Sequence, residues 1–228
     1  MLISLFRANL SFGQFMAILV AYLGVLLLSF SMHEFSHAFT AYKNGDPTAK
    51  LCGRMTLNPF AHFNLYGFVC LIIFGFGWAS PVPINYENLK KGKRSMFAVA
   101  ISGILSNLIL ALIFTFVYSL IGTFAPIALQ SDSFWTILLQ YFLIYGVEIN
   151  LSLAFFNLLP FYPLDGYRAL ELILKPNSKF LEFMYKYSTI ILILLLGFGI
   201  INILMQYLLN FMEIGMLTMW TSLFDLFR

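Results

Sequence analysis

Residues 12–42 read FGQFMAILVAYLGVLLLSFSMHEFSHAFTAY. The first 22 positions of this stretch carry no charged residue, and then Glu34 appears between two histidines, His33 and His37. As a helix the run is about 46 Å long, at about 1.5 Å per residue, whereas a bilayer's hydrocarbon core is about 30 Å thick. It is therefore read as a tilted membrane span, with its polar residues gathered at the C-terminal end. The run is too long for the apolar part of a removable leader, so Arg7 and the apolar residues after it are not read as a signal peptide.

The rest of the chain agrees. Of 228 residues, 61% are hydrophobic and 10% charged, against about 25% charged in a soluble domain. Phe alone occurs 26 times, which suits lipid-facing and interhelical surfaces. The expected fold is an all-α polytopic membrane bundle of five to six membrane segments, in one domain over residues 1–228 with no separate soluble unit. Its core runs from about 12 to 175, and its C-terminal membrane helices from about 180 to 228. A net charge of +3 without a basic stripe argues against nucleic acid as a partner. Cys52 and Cys70 fall in no metal-type spacing and are read as reduced packing residues. Nothing in the chain signals an oligomeric state.

Further spans are expected at Ser95–Ile121 and Phe134–Leu159, and a last clear one from Leu181 to about Tyr207. The tail to Arg228 is read either as one more crossing or as a helix on the membrane surface. KNGDPT, 43–48, ends the first helix. Ala49–Asn58 and Ser80–Asn85 are read as extended chain, and Tyr167–Leu174 as a short interfacial helix. Ala61–Ala79 is apolar but interrupted by His62, Asn64 and glycines.

His33-Glu34-Phe35-Ser36-His37 is HExxH. Two imidazoles four apart on a helix share a face and can reach one ion. The glutamate between them can take a proton from a water on that ion. Three ionisable residues within five positions of a membrane span are costly and call for a common reason. A catalytic zinc takes three protein ligands and keeps one position open. The third ligand must come from His62 or one of the ten acidic residues. Asp165 is the best of these, because it lies in Pro163-Leu164-Asp165-Gly166, where the chain breaks after an apolar span. The competing reading of Asp165 is an ordinary N-cap for the next helix.

HEFSH on the first span, with NLLPFYPLDG (157–166) on a later one, resembles the site-2 protease family of intramembrane zinc metalloproteases. Residues 41–58, GWASPVPIN (77–85) and Gly103-Ile104-Leu105-Ser106-Asn107 continue the likeness, which covers about Leu28–Leu170. It looks like the compact branch lacking PDZ or CBS domains. The resemblance implies zinc (Zn2+) held by His33, His37 and Asp165, Glu34 as general base, and Asn157 holding the substrate backbone. Asn107 lies where the family pattern GPxxN has its asparagine and is grouped with the substrate-binding residues. The sequence departs from the family at Ile104, where the pattern has proline, at Asn64, where the branch often has Asp, and at Tyr167, where a second Gly is common. The implied reaction is peptide-bond hydrolysis within or next to transmembrane segments of membrane-protein substrates. The rival reading is an inactive membrane metal-binding or regulatory protein of the same fold.

For His33, His37 and Asp165 to meet, the first span and the Phe134–Leu159 span must end on the same face, which requires Ala61–Ala79 to dip in and return. That arrangement gathers Lys43, Lys50, Arg54, Lys90, Lys91, Lys93, Arg94, Arg168, Lys175, Lys179 and Lys186, eleven of the thirteen basic residues, on one side. The positive-inside rule makes that side cytoplasmic, with the protein in the cell's inner membrane. The extended segments 49–58 and 81–85 would roof the site, where a strand edge could hold an unwound substrate; a plain interfacial loop fits as well. His62 is read as an interfacial residue or a gate. Glu148 is placed outside the site, and Asn150 and Gln140 are read as interhelical hydrogen-bonders.

Overall fold

The computed structural model describes residues 10–74, 77–175 and 178–227. Arg7, Arg228, and Gly75 and Phe76 within the 61–79 stretch lie outside the described residues. Among those described, nine α-helices and no strand occur: α1 Phe12–Lys43, α2 Thr48–Leu51, α3 Pro59–His62, α4 Leu65–Phe74, α5 Lys93–Phe124, α6 Phe134–Leu158, α7 Asp165–Ile173, α8 Lys179–Gly197 and α9 Ile200–Asp225. Five of them (α1, α5, α6, α8 and α9) are long and apolar enough to cross a membrane.

Two of the core helices start on local signals. Ser11 caps α1 with a reciprocal capping box to Gln14, and the Ser133 hydroxyl caps α6 by accepting from Thr136 N. α1, α5 and α6 pack mutually and form the core. Ala17, Ala21 and Val25 of α1 lie against Ile137 and Tyr145 of α6, with Tyr22 edge-on to Tyr145. A second cluster joins Ala111 and Phe114 of α5, Leu143, Val147 and Leu151 of α6, and Met216 of α9. At Gly146 a side chain would collide with the Phe114 ring, so the absence of one sets the close approach of α5 to α6.

The chain leaves α1 and enters α5 at the same end of the bundle. Lys90 N–H donates to Asn44 O (3.0 Å), and Ser95 Oγ donates to Asn44 Oδ1 (2.9 Å). Between them, the ten residues of α4 rise only about 15 Å, half a hydrocarbon core. The 61–79 region thus returns to its starting side, with Phe60, Leu65 and Tyr66 exposed as suits lipid.

Some expectations need correction. Residues 49–51 are not extended but form the helical turn α2, because buried Asp46 accepts from both N–H and Oγ1 of Thr48 and so starts a turn there. Residues 80–85 are non-helical as expected, and pair in no strand ladder among the described residues. The apolar run 181–207 is not one helix either. It breaks at Phe198–Gly199, where Gly199 has φ +72°, a conformation that suits glycine. α9 then runs parallel to α5, with Phe116 against Trp220 and Phe124 against Phe224. That direction puts the start of α9, and hence the end of α8, in the half of the bundle where α8 begins against Tyr167. α8 has the length of a span but both ends at one side.

Candidate metal centre

His33, Glu34 and His37 occupy the inward face of α1 near its C-terminal end and are all buried. Asp165 is the first residue of α7, not its cap: Leu164 holds the cap position, and its side chain makes no capping bond. Gly166 permits this turn, since a side chain there would strike the backbone of Leu158 and Leu159. The Tyr162–Pro163 peptide just before it is cis. Asp165 Oδ2 lies 3.1 Å from His33 Nε2 and 3.0 Å from His37 Nε2, and the two Nε2 atoms are 3.1 Å apart.

The hydrogen bonds behind the rings decide where their protons sit. His37 Nδ1 faces the Val99 carbonyl at 2.7 Å, and a carbonyl only accepts, so Nδ1 carries the hydrogen. For His33 the same answer comes through two asparagines. Asn150 Nδ2 donates to Gly146 O (2.8 Å), which turns Asn150 Oδ1 toward Asn107. Asn107 Nδ2 donates to that oxygen (2.8 Å), which turns Asn107 Oδ1 toward His33 Nδ1 (2.6 Å). His33 Nδ1 is therefore the donor. Both asparagines are fully buried, and the relay joins α6, α5 and α1.

Both Nε2 atoms thus present lone pairs to each other and to a carboxylate oxygen. Three lone pairs at 3.0–3.1 Å repel unless a cation lies among them. Ligand atoms about 2 Å from a tetrahedral ion stand about 3.3 Å apart, close to this spacing. The residues fit a divalent metal, and His33, His37 and Asp165 form the group that could hold one among the described residues. α5 leaves room for it at Gly103, where a side chain would run into both imidazoles.

Glu34 points out of the same turn, and its Oε2 accepts from Val82 N–H at 2.9 Å. The extended segment carrying Val82 is pinned on both sides of that contact. Arg54 Nη2 donates to Ser80 O (2.8 Å), and Asp46 Oδ2 accepts from Asn85 N–H (2.7 Å). Asp46 also accepts from Asn88 Nδ2 at 3.0 Å. Burial pushes the Asp46 carboxyl up, but the bonds from Asn88, Thr48 and Asn85 outweigh it and hold the group below the usual carboxylate range. Arg168 of α7 donates to Tyr86 OH (2.7 Å) and ties α7 to the same roof.

The other candidate residues stand apart from the three ligand atoms. Asn157 is half-buried near the end of α6, and its Nδ2 donates to Leu153 O (3.0 Å) within its own helix. Asn107 stands behind His33 with both ends of its amide engaged, on no face open to a substrate. His62 is buried, with Nε2 on Thr56 O at 2.9 Å, and is not one of the ligands. Glu148 is exposed on the outer side of α6, away from the three ligands. Asn150 is an interhelical hydrogen-bonder, as expected, whereas sequence reasoning missed the roles of Val82 and Gly103. Both lay in stretches it had singled out, Val82 in GWASPVPIN and Gly103 in Gly103–Asn107.

The chain is 45% identical over 154 residues to the provisionally named zinc metalloprotease YwhC of Bacillus subtilis, covering 68% of this chain and 69% of that protein. The description "Peptidase family M50" matches residues 120–196, which include Asp165. The chain belongs to peptidase family M50. Provisionally named zinc metalloproteases Rip2 of Mycolicibacterium smegmatis and of Mycobacterium tuberculosis are 31% identical to this M50 chain over 174 and 177 residues. Each match covers 70% of the M50 chain and 62% of the mycobacterial protein. No solved structure matches. Family membership identifies the ion expected among His33, His37 and Asp165 as zinc.

Proposed function

We propose that the protein is an intramembrane zinc endopeptidase that hydrolyses peptide bonds within or next to transmembrane segments of membrane-protein substrates. The observation that carries this reading is the meeting of His33, His37 and Asp165 at one point, with the Glu34 carboxylate held beside them in the same buried space. Bound there, zinc supplies a Lewis acid and a water acidified toward a pKa of about 7. Glu34 is the general base. Val82 N–H fixes one carboxylate oxygen, so the other takes the water's proton and later returns one to the leaving amine. Asn107 and the Val99 carbonyl hold the two imidazoles in the tautomer that binds metal. Asn157 exchanges its bond to Leu153 for one to the substrate backbone.

The described residues of 44–92 and 159–178 close the ligand end of the bundle, and the eleven basic residues from Lys43 to Lys186 are assigned to that end. This end faces the cytoplasm in a bacterial inner membrane. A helical substrate has its amides paired, so it unwinds before its backbone reaches Glu34 beneath the 77–85 segment.

The decisive experiment compares the membrane proteome of wild type with that of Glu34→Gln. The variant accumulates uncut membrane stubs while its zinc content stays at the wild-type level. Processing at the wild-type rate in Glu34→Gln leaves the non-enzymatic metal-binding reading in its place.

A further inference from the structure

One buried nitrogen near the site has no role in the chemistry of Glu34 and the three ligands. His62 is 2% exposed, and its Nε2 faces the Thr56 carbonyl at 2.9 Å, so Nε2 carries the hydrogen and Nδ1 presents a lone pair. That Nδ1 is buried and has no partner among the described residues. His62 lines a cavity of about 40 Å³ between α1 and the 59–79 region, together with Phe30, Ser31, Gly67, Trp78 and Ala79. Gly67 forms one wall, because a side chain there would strike the Trp78 carbonyl. At about 10–15 Å³ per water-sized group, the space holds about three such groups.

The cavity adjoins the proposed base. Ser31 precedes Glu34 by three residues, one turn or about 4.5 Å along α1. Ala79 precedes Val82, the residue bonded to Glu34, by three. Ser80 N–H donates to His62 O at 2.8 Å, so His62 is tied to the extended segment that holds Glu34. The lining is mostly apolar, with one unused acceptor. A side chain that fills it needs about three heavy atoms, a methyl for the apolar wall and one hydrogen-bond donor. Threonine matches all three requirements, and serine supplies the donor without the methyl.

We propose that this cavity is the substrate subsite beside the scissile bond, and that it selects a hydroxyl-bearing side chain of the threonine and serine class through His62 Nδ1. The inference rests on the proteolytic reading of the metal centre. A site built around a buried acceptor rejects the isostere that lacks the donor, since the acceptor is then left unpaired.

The test uses zinc-loaded full-length protein in detergent and three peptidyl hydroxamates that differ only in the residue next to the chelating group: Thr, Val or Ala. Each is measured by displacement of a fluorescent hydroxamate. In wild type the Thr compound binds at least tenfold more tightly than the isosteric Val compound. In His62→Leu the Thr:Val ratio falls to one or below. Ala79→Leu fills the cavity from another side, and there both compounds weaken relative to the Ala compound. Equal binding of Thr and Val by wild type, or a Thr preference that survives in His62→Leu, overturns the subsite and assigns the cavity to water. Failure of all three compounds to bind zinc-loaded wild type instead overturns the metal-centre reading on which the subsite depends.

Discussion

At the residue scale the site is organised by which nitrogen of each imidazole carries hydrogen. The Asn150–Asn107 relay is anchored at the Gly146 carbonyl, which cannot donate, so its direction is fixed along its whole length. Asn150→Leu removes that anchor and lets the Asn107 amide turn its nitrogen toward His33. Zinc affinity then falls about 10- to 100-fold, the usual cost of losing such a supporting bond. Competition with a chelator measures it; wild-type affinity in Asn150→Leu would show that the anchor is dispensable. The ligand pair His33 and His37 was legible because helical spacing alone places them together. Asp165 was legible only as the best of several acids until the resemblance singled it out. Asn150 was legible as an interhelical hydrogen-bonder, but its partner was not, because that depends on how α6 is rotated against α5, and no local pattern encodes that rotation.

At the element scale the roof over Glu34 is held mainly by one carboxylate. Asp46 receives bonds only from donors, at Thr48, Asn85 and Asn88. Asp46→Asn sets an NH2 group against one of those donors and costs about 1–3 kcal/mol. The folded-state pKa of Asp46 is depressed, so its contribution is complete above the unfolded value of about 4 and is lost as the pH falls through the lower folded value. Thermal unfolding in detergent checks this. The gap between wild type and Asp46→Asn is full at pH 7 and narrows as the pH falls below about 4, and a gap that widens there contradicts the assignment. The extended 81–85 segment was legible from its prolines. The α2 turn was not, because a side-chain carboxylate starts it, and neither propensity nor hydropathy reports that. The break between α8 and α9 was hidden for the opposite reason: the sequence stays apolar straight through Gly197-Phe198-Gly199.

For the whole molecule, α1, α5, α6 and α9 are read as the crossings, with both ends of α8 in the half of the bundle that holds the ligands. On that reading the start of α1 and the end of α9 lie opposite the ligand end of the bundle, which is proposed to face the cytoplasm. A C-terminal alkaline phosphatase fusion is then active outside the cytoplasm, and the same reporter inserted at 90–91 is silent. The reverse pattern would invert the topology.

The relay has one consequence for a cell that stores energy as a proton gradient. A carboxamide gives up no proton at physiological pH, so Asn107 and Asn150 orient His33 without conducting. Histidine or glutamate at those two positions would extend a titratable chain from the ligands into the middle of the membrane. With amides there, the proposed metal centre would sit in an energised bilayer without a proton leak through the protein behind it.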